Sequence, residues 1–333
     1  MMIFGVNKNM FKRPRLRPVC SLVNVGLAAS FIFISACSGD REPKAPETPV
    51  EQAPNSSVIA PNPAKLQAVW STSSLSAPVR DLGLSGGINP VLAGVIDGGK
   101  LQLFDLDGEQ LTEPTDVGIT AIGDGFAATL NELPITMFPG IGSDGSVNIY
   151  LYSHVLGAPV ALDLIPEANA AGLCVGVSAD DNALAQIAYW SAEAPSRLMT
   201  GDVFVVDDEL EWRAGASKET EQITAACRIG EGVYDWTDTG SDLAVIKNGT
   251  AEKLLVLSQS GVHEFVDGVN GSPITIRDGI SVRVPEPIIA MSALSDVQFG
   301  GYPQGVIVVG GQVNGDPKLV FIEPIALFED EAE

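Results

Sequence analysis

The chain has 333 residues, is 45% hydrophobic but only 6% aromatic, and carries a net charge of −23. Five of its 19 basic residues and none of its 42 acidic ones lie in 1–36, so residues 37–333 hold 14 basic against 42 acidic side chains, a net −28. That balance argues against nucleic acid and anionic lipid surfaces as electrostatic partners, and with only two histidines, His154 and His263, a His-based zinc site or a histidine phosphatase mechanism has little support.

The chain opens with Lys8, Lys12, Arg13, Arg15 and Arg17, continues through an apolar run over 26–34, and reaches Ile34-Ser35-Ala36-Cys37. A basic segment, a short apolar segment and a small-residue cleavage site predict a secretory signal over 1–36. The apolar run falls short of the about 20 residues that a membrane-spanning helix needs. The ending Ile-Ser-Ala-Cys resembles the bacterial lipobox, which implies cleavage before Cys37 and diacylation (palmitate) of its thiol. The lipid bilayer is then a partner through acylated Cys37. Met10 is a second candidate start, since Met10-Phe-Lys-Arg-Pro-Arg also opens such a signal. Ser38 in place of an Asp after the cysteine is compatible with outer-membrane sorting. The expected location is the bacterial cell envelope, at the outer membrane and facing the periplasm or the cell surface.

Cys20 leaves with the signal and Cys37 takes the lipid. Cys174 and Cys227 remain in an oxidising compartment, where a disulfide between them is the economical expectation. From 38 to 63 the prolines at 43, 46, 49, 54, 61 and 63 predict an extended tether with a reach of at most roughly 80 Å.

Residues 64–333 read as one globular part made of short strands. The clearest are 91–96, 100–105, 147–152, 184–190, 202–206, 242–247, 253–258, 272–276, 306–309 and 318–322. Between them lie Asp97-Gly98, Asp107-Gly108, Asp144-Gly145, Asn248-Gly249, Asp267-Gly268, Asn270-Gly271, Asp278-Gly279 and Asn314-Gly315. Such pairs supply the positive φ of two-residue hairpin turns. Residues 163–171, with their alanines, are the one helical candidate. Many hairpins in about 270 residues predict an all-β chain: a large sandwich, paired barrels or a β-propeller. At about 45 residues per four-stranded blade, the length suits six blades.

The run Val91-Leu-Ala-Gly-Val-Ile-Asp-Gly-Gly-Lys-Leu-Gln-Leu-Phe-Asp-Leu-Asp-Gly108 resembles the first-blade hairpin of the β-propeller phytases. These are calcium-dependent phosphatases of the myo-inositol hexakisphosphate 3-phosphohydrolase type. Gly172-Leu173-Cys174 with Ala188-Tyr189-Trp190, then Glu221-Gln-Ile-Thr-Ala-Ala-Cys227, Leu255-Val-Leu-Ser-Gln259 and Lys318-Leu-Val-Phe-Ile-Glu-Pro324 resemble further strands of that family in the same order. The resemblance spans about 70–330 and implies a phytase-like propeller, most simply six-bladed, with the last strand near 318–323 closing the ring.

The polar signature of the family departs here. Its Asn-Asn-Val-Asp-Val-Arg strand corresponds to Val-Gly-Ile-Thr-Ala-Ile-Gly over 117–123, and its Glu-Gly before the second cysteine to Ala225-Ala226. Its Thr-Asp-Gly-Ile-Asp corresponds to Pro285-Glu286-Pro287-Ile288-Ile289, and its Ala-Gln-Asp-Gly turn to Val309-Gly310-Gly311-Gln312. Each calcium takes six to eight oxygen ligands, and a polyanionic substrate meets an acidic protein only where cations bridge them. Glu286, Asp235 and Asp238 are the remaining candidate calcium carboxylates. Asp105-x-Asp107-Gly108 reads as a hairpin turn, and Asp207-Asp208-Glu209-x-Glu211 as a solvated charge cluster. No Gly-x-Ser-x-Gly, P-loop or dinucleotide fingerprint is present. The function expected is therefore a non-catalytic binding or assembly module for a protein or a phosphorylated small molecule. The alternative is a calcium-dependent, phytase-like phosphomonoesterase.

Overall fold

The computed structural model describes residues 64–328, apart from 88, 131, 221–224, 231–232, 238–239, 267–268 and 296–301. Cys37, the signal and the tether lie outside them. β1 (Lys65–Ser71) comes first and joins the last sheet. Sheet I holds β2 (Val79–Ser85), β3 (Val91–Ile96), β4 (Lys100–Phe104) and β5 (Thr115–Asp116). Sheet II holds β6 (Ile119–Ile122), β7 (Phe126–Leu130), β8 (Leu133–Gly142), β9 (Val147–Tyr152) and β10 (Val160–Ile165). Sheet III holds β11 (Ala170–Gly176), β12 (Ala185–Ser191), β13 (Ala194–Val206), β14 (Glu209–Ala214) and β15 (Lys218–Glu219). Among the described residues, sheet IV is the pair β16 (Ala226–Gly230) and β17 (Val233–Thr237). Sheet V holds β18 (Asp242–Asn248), β19 (Ala251–Ser258), β20 (Gly261–Val266) and β21 (Val269–Pro273). The last sheet, VI, runs β22 (Thr275–Arg277), β1, β25 (Asp316–Glu323), β24 (Val306–Val313) and β23 (Ile288–Leu294).

The molecule is an all-β propeller. The first strands of successive sheets touch in a closed circuit, β2 to β6, β11, β16, β18, β23 and back to β2. These inner strands run in parallel. Ser85 and Gly125 form a parallel bridge, and Met291 and Ser295 sit beside Asp242 and Lys247 in the same order. Gly83 and Gly176 allow the close approach this requires. A Cβ on Gly83 would lie 2.4 Å from the Gly123 carbonyl oxygen, and one on Gly176 2.2 Å from that of Ile229.

The core is a set of layers between neighbouring sheets. Leu92 and Phe104 of sheet I meet Val308, Leu319 and Phe321 of sheet VI, while Val91 and Leu103 meet Phe138 and Tyr150 of sheet II. Ile149 and Met137 meet Ile187 and Val203 of sheet III. The ring closes where β1 pairs antiparallel with β25, so one sheet combines strands from both ends of the described chain. No single strand closes it alone.

Two local expectations change. Residues 163–171 hold the end of β10, a turn and the start of β11, with no helix. Pro166 removes a backbone donor, Asn169 takes φ 47°, and Ala170 N–H bonds to the Gly145 carbonyl at 2.8 Å. Gly98, Gly108, Gly145, Gly249 and Gly315 have the expected positive φ, but Gly271 and Gly279 do not. Gly271 lies inside β21, and Gly279 packs against the backbone of β1, its Cβ position 2.2 Å from the Ala68 carbonyl oxygen.

Candidate functional site

An inner strand pairs with its own sheet on one side only, so its other edge presents backbone groups to the ring axis. Buried N–H groups need acceptors there. Three aspartates supply them. Asp81, in β2, accepts from its neighbour Leu82 N–H and from Ile122 N–H of sheet II, both at 2.8 Å. Asp124, just after β6, accepts from Leu84 N–H of sheet I at 3.1 Å and from the Ser292 hydroxyl of sheet VI at 2.9 Å. Asp242, in β18, accepts from Met291 N–H of sheet VI at 3.0 Å. Each carboxylate therefore ties its own sheet to a neighbour.

These groups line an axial passage. A cavity of about 180 Å³ near the start of the inner strands is bordered by Asp81, Asp124, Asp242, Arg228 and Trp190. A second, of about 370 Å³ near their ends, is bordered by Phe126, Val175, Leu184, Val245 and Leu294, with Lys247. Asp124 and Arg228 border both. Asp124 is accessible where it borders the two cavities.

Burial holds these acids above the usual carboxylate range, and for Asp81 and Asp242 the charges of neighbouring acids add to it. Burial pushes Asp81 up to about 7, with the Asp124 charge adding and the Ile122 and Leu82 N–H bonds opposing. Burial, then the charges of Asp81 and Asp124, raise Asp242 well above its ordinary value. Asp124 is raised by burial, against the bonds from Leu84 and Ser292 and the charge of Arg228. The Arg228 guanidinium reaches Glu252 at 3.1 Å and Asp235 at 3.4 Å, and Lys247 pairs with Glu252 at 2.8 Å. The cations of the passage are thus engaged with acids on the adjacent strands. Chemically, the axial carboxylates accept hydrogen bonds in surroundings that favour their protonated forms.

Asp235 lies in β17 and is the ion-pair partner of Arg228. Glu286 is exposed beside a surface cleft of about 560 Å³ that it shares with Asp278, Arg283 and Gln312. Asp235 and Glu286 share none of these three cavities, and Asp238 lies outside the described residues. Among the described residues, no three His, Cys, Asp or Glu side chains come together in a group suited to a metal ion. Cys174 of β11 and Cys227 of β16 form a disulfide with Cα atoms 5.5 Å apart, joining sheets III and IV. Asp105 accepts the backbone N–H of Asp107 and Glu109 at 3.0 and 2.8 Å, closing its own turn. Asp207 and Asp208, at φ 53° and 65°, are the central residues of the β13–β14 turn.

Asp81, Asp124, Asp242 and Arg228 escape a reading of the sequence as separate strands. One signal points to two of them: Asp81-Leu82 and Asp242-Leu243 repeat the same dipeptide near the start of two inner strands.

No protein-family model matches the chain, and no curated protein matches it. Among solved structures it is similar to a triple arginine-to-alanine mutant of AofleA from Arthrobotrys oligospora, at 10% identity over 76% of this chain and 85% of that one, with a TM-score of 0.48. It is also similar to BBS1N in complex with ARL6DN, soaked with lead, at 10% identity over 79% of this chain and 98% of that one, with a TM-score of 0.41.

Proposed function

We propose that the protein is a bacterial envelope lipoprotein, anchored through acylated Cys37, whose phytase-like propeller has six blades and serves as a non-catalytic binding or assembly module. The observation that supports this reading is the use to which the axial carboxylates are put. A calcium phosphatase needs ionised acids turned toward its ions and substrate. Here Asp81, Asp124 and Asp242 accept hydrogen bonds from neighbouring sheets, and their burial favours the protonated form. The blade count is supported by the position of β16, which touches β11 on one side and β18 on the other. Sheet IV then counts as a narrow blade alongside the five larger sheets.

The test is calcium titration of the full-length protein in detergent micelles by calorimetry, with phosphate release from inositol hexakisphosphate assayed in the same buffer. The expected outcome is neither calcium binding nor released phosphate. Several bound calcium ions together with released phosphate would overturn the module reading in favour of a phosphomonoesterase, with Asp235, Asp238 and Glu286 the first residues to replace.

A further inference from the structure

The inner strands all end on one face of the ring, and the direction of the remaining strands decides what else that face carries. β9, β13 and β20 run parallel to the inner strands of their sheets, because each is separated from its inner strand by one antiparallel neighbour. The ends of these strands, and the connections that follow them, therefore lie on the same face. Exposed apolar side chains collect there: Val155 (76%) and Leu156 (46%) between β9 and β10, Val177 (73%) just after β11, and Leu133, Val206 and Val266 at strand ends.

Two further observations single out the β9–β10 connection. In a chain so acidic, residues 145–162 contain no Asp, Glu, Lys or Arg. The loops of sheets I and III, which flank sheet II on the same face, carry Asp105, Asp107 and Glu109, and Asp180, Asp181, Asp207 and Asp208. The second observation is where the chain joins the propeller. β1 runs antiparallel to β25, with Gln67 opposite Glu323, so residue 64 lies on this same face. Residue 63 therefore joins the propeller at this face, and in the lipid-anchor reading residues 38–63 are the covalent link to Cys37.

We propose that the 153–159 loop, led by Val155 and Leu156, rests in the interfacial region of the bilayer that holds Cys37. The inference rests on the lipid-anchor reading. An uncharged apolar tip enters the headgroup boundary without bringing a carboxylate to it, and its binding scales with the apolar area buried. Two exposed side chains bind weakly on their own, but the tether makes their contact intramolecular and supplies a high effective concentration. The acidic loops of sheets I and III on either side favour water, so the sheet II loop is the part of this face that meets the membrane.

The experiment uses the full-length lipidated protein in phosphatidylcholine vesicles with a nitroxide on Val155→Cys. Glu193→Cys, in the β12–β13 turn on the opposite face, is the control. Labelling is specific because Cys174 and Cys227 are paired, Cys37 is acylated and Cys20 is removed. The label at 155 is expected to show severalfold lower accessibility to a water-soluble nickel relaxant than the label at 193, with higher accessibility to oxygen. Leu156→Asp is expected to abolish that difference while leaving the unfolding temperature in place, since Leu156 is half-exposed. Equal accessibility at 155 and 193, with the lipid mass on Cys37 confirmed, overturns this inference alone. A missing lipid mass overturns the anchor reading and the inference with it. Dipolar broadening between labels at 155 shows that a second copy covers the loop and also overturns the inference.

Discussion

Sheets VI and I meet across a layer in which Leu92, Phe104, Val306, Val308, Leu319 and Phe321 are all fully buried. Among the described residues, sheets III and IV meet across a smaller layer, to which sheet IV contributes Cys227 and Ile229, and a disulfide crosses it. The first seam joins two sheets of four and five strands. Among the described residues, the second joins a full sheet to a strand pair. A ring is only as closed as its weakest seam, and the two are secured by different physics. Where two wide sheets face each other, apolar burial suffices at about 25 cal/mol per Å². Where one partner is narrow, less apolar area is available and a covalent link supplements it by restricting the unfolded chain.

The largest effect is expected at the wide seam. Phe321 is fully buried and stacks on Tyr302 at 6.1 Å between ring centroids. Phe321→Ala leaves a cavity between packed sheets and is expected to cost about 3–5 kcal/mol, measured by urea unfolding. A cost near 1 kcal/mol would mean that the first and last sheets contribute little to closure. At the narrow seam, replacing Cys174 and Cys227 together by Ser opens a link across a sequence separation of 53. The expected loss is about 2–4 kcal/mol. If it exceeds the loss from Phe321→Ala, the ring depends more on its staple than on the apolar layer at its closing seam.

Much of this architecture is legible in the chain because local chemistry dictates it. Val91–Ile96 and Lys100–Phe104 announce a hairpin through apolar runs on either side of Asp97-Gly98, and they do pair, though across the three residues 97–99 rather than a two-residue turn, with Ile96 opposite Lys100. The disulfide follows from assigning four cysteines to a signal, a lipid and an oxidising compartment. Asn270-Gly271 misleads, because a turn dipeptide signals backbone freedom whether or not the chain uses it. The axial acids are hidden for a different reason. Asp81 in Val-Arg-Asp-Leu-Gly-Leu resembles any polar residue on a half-exposed strand until the ring closes and turns that edge toward Ile122. Its environment comes from strands 40 or more residues away, which no local pattern encodes.

The axial ties are a third means of closure, expected to be weaker than either seam. Asp124 joins sheets I, II and VI through Leu84 N–H and the Ser292 hydroxyl. Asp124→Ala leaves both donors without that acceptor and is expected to cost about 1–3 kcal/mol. Asp124→Asn keeps a carbonyl oxygen for Leu84 N–H and should recover part of the loss. Equal losses in the two variants would show that the carboxylate's charge, rather than its hydrogen bonds, carries the effect.

The last expected effect is a slope with pH in place of a loss at one pH. Asp81 has an ordinary value of 3.8 and is raised to about 7 in the folded protein, chiefly by burial. Below the ordinary value both the folded and unfolded chains hold the proton, and its contribution to stability is fully present. As pH rises from about 4 toward 7 the unfolded chain releases the proton first, so this contribution is progressively lost, and above about 7 it is gone. Exposed carboxylates with lowered values, such as Asp144 and Asp278, act in the opposite sense, but below about pH 4, where their protons return. The unfolding temperature is therefore expected to fall between pH 5 and pH 7.5, and Asp81→Asn, which keeps an oxygen acceptor but cannot ionise, should flatten that fall. An unchanged slope in Asp81→Asn would assign it to Asp242, which is also held well above its ordinary value by burial and by the charges of Asp81 and Asp124. A rising unfolding temperature over the same range would show that the axial acids are ionised in the folded ring, and that the passage holds charge in place of protons.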